Sequence, residues 1–375
     1  MPSEVILVVD DDRDLLGGLG AVLRGADRAV VLCRDLESAR LVIDTYPVTH
    51  VLSDIRLTGP FNFEGLGLSQ YVRERSPETF VILMTGSSTE ALEAEARNRG
   101  SIAFLAKPFS VDEVEAIIAG HPCSRPGKGP LPELMEMPLL DEFLDSEALY
   151  PIFQPIHRLS VSPQPPFGFE CLTRLATESA FRDPSLLFRY AADKGRVTDL
   201  ELACIRRACR AATALEDPTL LFVNIHPAVL SDGERLLAAL QESVFPVNRI
   251  VLEITEQSPI RAEPAVWRTI EQLTRQGVRF AFDDVGMAYS HFEHMARVRP
   301  AFLKISQNFG TGFESDHVNE TIVRSVLQLA NHLSVQLILE GIETEATLAR
   351  AIELAIPLGQ GYLLGRPAPL AQRGR

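Results

Sequence analysis

Residues 250–284 read IVLEITEQSPIRAEPAVWRTIEQLTRQGVRFAFDD, and their pattern decides the fold. Ile250–Ile254 is an apolar run broken only by Glu253. Pro264–Gln276 repeats its apolar residues at helical spacing behind a proline start, and Phe280–Phe282 is a second apolar run that ends in Asp283–Asp284. Strand, helix and strand in that order make one βα unit of a parallel sheet. The alternation continues on both sides. Apolar runs fall at Phe167–Leu172, Leu220–Ile225, Phe302–Ile305 and Val335–Leu339, with helical stretches at Leu186–Ala192, Leu200–Leu215 and Val318–His332. From Ile152 onward this is about 225 residues of βα repetition, the size of a TIM-like (β/α)8 barrel.

The first third of the chain alternates as well. Its runs are Val5–Val9, Val30–Cys33, Val48–Ser53, Phe80–Thr85 and Ile102–Ala106. Amphipathic stretches at Leu15–Leu23, Leu36–Ile43, Leu66–Val72, Ala91–Ala96 and Val111–Ile118 lie between and after them. That is a doubly wound, flavodoxin-like α/β domain. Gly120 to Pro132 is rich in Pro and Gly and reads as a linker, and Leu134–Leu149 is expected to form a connecting helix. The expected division is therefore 1–120, a linker over 121–145, and a second domain over 146–370.

Composition narrows the function. The formal charge is −14, from 36 Lys+Arg against 50 Asp+Glu, which speaks against duplex DNA as a partner on a broad basic face. No apolar run reaches the roughly 18–20 residues of a membrane span, so no membrane partner is expected. The opening MPSEVILVVDDD lacks the basic region of a secretory leader. Five cysteines, odd in number and without a CxxC, fit a reduced, cytoplasmic setting.

Two sets of polar residues stand at the ends of the apolar runs. In the first domain these are Asp10–Asp11, Asp54, Thr85 and Lys107. Ligands of open parallel sheets gather at the carboxyl ends of the strands, and carboxylates crowded there call for a cation such as Mg2+. The strings VVDDD, LSDIRL, MTG and AKP resemble the receiver domain of two-component response regulators over residues 4–119. The resemblance implies that Asp54 accepts phosphate from a cognate histidine kinase and that Asp10 and Asp11 help to hold one Mg2+. It also implies that Thr85, Phe104 and Lys107 are the switch residues. The segment after Asp54, IRLTGPFNFEG, is longer than the family's usual turn.

In the second domain the run ends give Glu170, Asn224, Glu253, Asp283 with Asp284, Lys304, Glu340 and Gln360. Most of the intervals between them suit single steps around a barrel of about 30 residues per βα unit, whose chemistry sits at the carboxyl mouth. Five carboxylates in one mouth are costly without cations. Two divalent ions would relieve them and imply in-line phosphoryl chemistry. The strings FQPI, FECLTR, FVNI, LEITE, FDDVG, LKIS, LEGIET and LGQGYLLGRP resemble the EAL domain, the cyclic di-GMP phosphodiesterase family, over roughly residues 145–368.

The resemblance implies two Mg2+ or Mn2+ ions. Glu170, Asn224, Glu253 and Asp283 would hold one, and Asp283 would bridge to a second also held by Asp284 and Glu340. Lys304 would orient water or meet developing charge, and Glu340 is also the candidate proton acceptor. Gln154, Arg174 and Gln360 match substrate-contacting positions, and Glu256 matches an anchor of the loop after Asp284. Family resemblance also favours a homodimer. Two departures stand out: Ser306 replaces the family's Asp in Lys-Ile-Asp, and Ala288 replaces a Gly in the loop Val285–Phe292. The resulting expectation is a response regulator that hydrolyses cyclic di-GMP to 5′-pGpG under control of Asp54. Its rival is a degenerate EAL domain that binds the dinucleotide without cutting it.

Overall fold

The computed structural model describes residues 2–57, 63–86, 103–122, 133–160, 165–255, 263–286 and 292–370, with isolated positions at 94, 96 and 98. The chain forms two compact units, one of residues 1–148 with 175–195 and the other of residues 149–174 with 196–375.

The first unit is built on a parallel sheet. Strands β1 (Glu4–Val9), β2 (Arg28–Cys33), β3 (His50–Asp54), β4 (Phe80–Thr85), β5 (Ala103–Ala106) and β6 (Leu134–Glu136) lie in the order β5-β4-β3-β1-β2-β6. The central strands β1 to β4 are buried along nearly their whole length, as a sheet covered on both faces requires. The order reverses between β1 and β3. That crevice is the topological switch point of such sheets, and it is where Asp10 and Asp54 emerge. Asp12, the third residue of the acidic run, accepts from the amides of Asp14 and Leu15 and caps the helix Arg13–Leu23. It therefore serves the helix start.

Residues 134–149, expected as a connecting helix, fold otherwise. Leu134–Glu136 adds a sixth strand parallel to β2, and only Leu140–Leu144 is helical. Met135 and Met137 are buried there; their period-two spacing suits a strand, and a helical reading overlooked it. The helix Pro184–Asp193 also belongs to this unit. Its Tyr190 hydroxyl donates to Asp35, and the Lys194 ammonium lies 3.2 Å from the same carboxylate. The expected helix at 91–96 falls largely outside the described residues.

The second unit is a closed eight-stranded barrel. It comprises β7 (Leu149–Arg158), β8 (Gly168–Leu175), β9 (Leu220–Asn224), β10 (Ile250–Thr255), β11 (Arg279–Val285), β12 (Phe302–Ile305), β13 (Gln336–Leu339) and β14 (Leu358–Gly359). Helices such as Val197–Ala212, Pro264–Arg275 and His317–Leu333 follow its strands. The pairings from β8 through β14 are parallel, whereas β7 runs antiparallel to β14.

Strand alternation explains how the polar residues reach the mouth. Outward residues such as Leu221, Leu252, Phe282, Leu303 and Leu337 pack under the helices. Inward residues Phe222, Val251, Ala281, Phe302, Ile338 and Leu358 fill the barrel. Two residues further on, still on the inner face, stand Asn224, Glu253, Asp283, Lys304, Glu340 and Gln360. The apolar plug is thus the floor of the polar layer.

Close backbone approach fixes one part of that layer. Ser306 is buried and caps the short helix Gln307–Gly310 through the Asn308 amide. The helix sets Gly310 so near Glu340 that a β-carbon would lie 1.8 Å from the Glu340 carbonyl oxygen. Gly310→Ala is expected to destabilise the protein by about 1–3 kcal/mol through overpacking and to disturb Glu340. A thermal melt of the purified variant checks it, and an unchanged midpoint would contradict this packing.

Candidate metal and phosphoryl sites

The first site lies in the crevice of the parallel sheet. Asp10 follows β1 and is fully buried, Asp11 is exposed, and Asp54 closes β3 half-buried. One oxygen from each lies within 4.8 Å of the others. Lys107, just past β5, places its ammonium 2.6 Å from Asp10 Oδ2 and 3.0 Å from Asp54 Oδ2. Burial raises the Asp10 pKa despite the opposing lysine. For Lys107, burial works against the charged form, but the hydrogen bonds to Asp10 and Asp54 outweigh it and its pKa rises. Thr85 is buried at the end of β4, and Phe104 lies half-buried on β5 beside Leu83 of β4. Every residue assigned to this pocket therefore stands at a carboxyl strand end or on β5.

The second site is the barrel mouth. Lys304 is fully buried at its centre, with its ammonium 2.9 Å from Glu340 Oε1, 3.1 Å from Glu253 Oε1, 3.3 Å from Glu170 Oε2 and 3.4 Å from Asp283 Oδ1. Burial would discharge a lone ammonium, yet these four carboxylates carry the Lys304 pKa well above its ordinary value. One cation cannot neutralise four anions, and the surplus is visible in the carboxylates. Burial raises Glu253 far above the usual range, raises Asp283, and pushes Glu340 up to about 7, Lys304 opposing it in each case. Glu170 goes the other way. Burial favours its protonated form, but Lys304 and hydrogen bonds from Gln360 and Asn224 outweigh that and lower its pKa.

The donor set fits divalent cations. Glu170, Glu253 and Asp283 bring oxygens within 4.8 Å of one another, as do Asp283, Asp284 and Glu340, so Asp283 is common to both groups. Both Glu253 oxygens and Gln360 Oε1 are buried without a hydrogen-bond donor, although Lys304 stands close enough to Glu253 for charge attraction. Buried acceptors lacking donors are costly, and hard oxygen ligands are what Mg2+ and Mn2+ prefer. Asp284 has the left-handed φ of 56°. It lies where the pairing of β11 with β12 shifts register between Phe282 and Val285, and its amide donates to Asp283 Oδ1 at 2.9 Å.

The amide side chains are linked into the same network. Asn224 Nδ2 donates to Glu170 Oε1 at 3.1 Å, while Gln360 Nε2 donates to Glu170 Oε2 at 2.7 Å and to Gln154 Oε1 at 3.0 Å. Gln154 in turn donates to the Gly365 carbonyl. Arg174 is half-buried and turns a guanidinium nitrogen to the Thr173 carbonyl. Glu256 and most of the loop after Gly286 lie outside the described residues. One feature went unread in the sequence: Glu201, on the helix Val197–Ala212, is a buried carboxylate beside the β9 end, with its pKa pushed by burial to about 8.

A doubly wound sheet with an aspartate–lysine crevice and a barrel whose mouth gathers acidic groups define a receiver joined to a barrel whose acidic clusters are consistent with metal sites. The chain belongs to the EAL domain family, which matches residues 139–367, and carries a response regulator receiver domain over residues 6–119. It is similar to the cyclic di-GMP phosphodiesterase RocR of Pseudomonas aeruginosa, 27% identical over 275 residues that cover 71% of this chain and 70% of that one. It is 29% identical over 233 residues to the probable cyclic di-GMP phosphodiesterase PdeI of Escherichia coli, covering 60% of this chain and 29% of that protein. Among solved structures, the PaMucR phosphodiesterase in complex with c-di-GMP aligns with a TM-score of 0.56 at 26% identity, over 62% of this chain and 97% of that one. No described helix is long and apolar enough to cross a membrane.

The raised Glu340 pKa gives metal binding a definite pH dependence. A divalent ion that took Glu340 as a ligand would displace the proton that this side chain holds below about pH 7. Affinity for Mn2+ is therefore expected to rise with pH through that region. Calorimetry at pH 6 and pH 8 checks this through tighter binding at pH 8 and more protons released per ion at pH 6. Equal affinity with no proton release would contradict it.

Proposed function

We propose that this chain hydrolyses one phosphodiester bond of cyclic di-GMP, yielding linear 5′-pGpG, at the barrel mouth under the control of phosphorylation at Asp54. The observation that carries the reading is the pair of carboxylate groups sharing Asp283 above the buried Lys304, in a chain whose relatives include cyclic di-GMP phosphodiesterases. The functional division follows the sequence reading: receiver over 1–120, linker over 121–145 and phosphodiesterase over 146–370.

Glu170, Asn224, Glu253 and Asp283 would hold one divalent ion and Asp283, Asp284 and Glu340 the second, both Mg2+ or Mn2+. Bound there, such ions supply Lewis acidity at the scissile phosphate and make water a better nucleophile. The protein's own groups do the rest. Lys304, held charged by its four neighbours, faces the negative charge that develops on the phosphoryl oxygens. Glu340, with its pKa near neutrality, is suited to take the proton of the attacking water. Gln154 and Gln360 form a joined amide pair that can meet the polar edge of a guanine base, and Arg174 offers a fork for a phosphate. In the receiver, phosphate on Asp54 would meet Lys107 and the Thr85 hydroxyl, with Phe104 following as the switch. One Mg2+ on Asp10 and Asp11 and a partner histidine kinase complete this reading.

A turnover assay with cyclic di-GMP and Mn2+, with and without beryllofluoride, tests the whole. Formation of pGpG supports it, whereas binding without cleavage would favour the effector reading. Glu170→Ala is expected to abolish turnover while the barrel stays folded by circular dichroism, and near-normal rates would remove Glu170 from the site. Asp54→Asn is expected to abolish labelling by acetyl phosphate. Label persisting in the variant would show that another residue accepts the phosphate.

A further inference from the structure

We infer that Glu201, outside the carboxylate cluster, is a positioning residue that sets the strand end carrying Asn224. The inference rests on the metal-site reading above. Glu201 lies on the helix Val197–Ala212 at only 7% exposure, among buried Leu200, Leu202 and Ile205. Its Oε1 accepts the backbone N–H of His226 at 3.2 Å. His226 is the N-cap of the short helix Pro227–Ser231, and its ring nitrogen accepts from the Ala228 amide.

The chemistry of the cap explains why a distant carboxylate is used. In a capping box, the third helical residue reaches back to the N-cap amide through a Glu or Gln side chain. Here that third residue is Val229, buried and without a polar atom in its side chain. Glu201 supplies the missing half of the box from another helix. The result is a turn nailed at consecutive residues: the Ile225 amide donates to the Glu253 carbonyl at 2.9 Å, and the His226 amide donates to Glu201. Both bonds fall directly after Asn224, whose carboxamide nitrogen is committed to Glu170. With its nitrogen turned to Glu170, the carboxamide presents its oxygen elsewhere, as a cation ligand must. Glu201 thus acts through the backbone, touching neither substrate nor ion.

Supporting groups of this kind typically change metal affinity or activity by about 10–100-fold when lost. Two substitutions separate positioning from bulk stability. Glu201→Asp keeps a carboxyl on the helix but is one methylene too short to reach His226. Glu201→Gln keeps both the reach and an acceptor oxygen. Mn2+ affinity, read by calorimetry on the full chain without substrate, is expected to fall about 10-fold or more in Glu201→Asp and to be rescued in Glu201→Gln. The His226 amide should exchange with solvent faster only in Glu201→Asp. An affinity within twofold of the parent in Glu201→Asp, an equal loss in both variants, or unchanged His226 exchange overturns the inference. The readout is metal binding and amide exchange, so a chain that binds Mn2+ but fails to cleave would count against the proposed reaction and leave this result standing.

Discussion

The structure of the second unit depends on the position of one ammonium group. Lys304 is fully buried in the barrel mouth, and four carboxylates surround it within 3.4 Å, of which Glu253 is buried as completely. Removing charge from water carries a penalty that pairing offsets only when geometry is close. Here the pairing is close but the count is unequal. A surplus of negative charge is built into the fold, and burial raises the proton affinities of Glu253, Asp283 and Glu340 there. Such an arrangement is consistent with a cation site, since its buried acceptors include Glu253 oxygens that lack a hydrogen-bond donor.

That geometry follows from the two-residue period of a strand. In a closed barrel every inward side chain belongs to a layer, and the layer beneath the site is apolar. Phe222 and Phe302 meet edge-on at 5.1 Å in that layer. Each polar residue is placed by the apolar residue two positions before it: Asn224 by Phe222, Glu253 by Val251, Asp283 by Ala281, Lys304 by Phe302 and Glu340 by Ile338. A slip of one residue in any strand would put the polar group under a helix. The hydrophobic core therefore specifies the site as much as the acidic residues do, and the destabilising cost of the mouth is borne by this plug.

Much of this was legible in the sequence because strand ends are local signals. An apolar run with a carboxylate at its end marks both the strand and the residue at its tip, so Asp54, Glu253, Asp283 and Glu340 could be read directly. What escaped depended on contacts distant in sequence. Leu134–Glu136 forms a strand against the edge of β2, and its local signal, the two-residue spacing of Met135 and Met137, is too short to stand alone. Gln154 and Gln360 are separated by most of the barrel and meet because β7 closes against β14. Glu201 left a signal that passed unread. It shares a helical face with Ile205, Ala208 and Ala212, all buried, so a charged residue stood on an apolar stripe. Such a residue requires a partner, and that partner, a backbone amide 25 positions along the chain, leaves no mark in composition.

The two sites solve a common electrostatic problem with the same components at different depth. In the receiver crevice Lys107 is partly exposed and faces two carboxylates, Asp10 and Asp54. Water can screen that cluster. In the barrel Lys304 is fully enclosed and faces four carboxylates. Screening there is weak, so interactions are stronger and proton affinities move further. Glu340 stands at the boundary between these regimes, 17% exposed at its side chain yet 2.9 Å from the lysine. A carboxylate in that position stays near neutrality because burial and Lys304 pull its pKa in opposite directions. Its placement at the rim, on the strand end next to Lys304, is what sets these two opposing influences on one acidic residue.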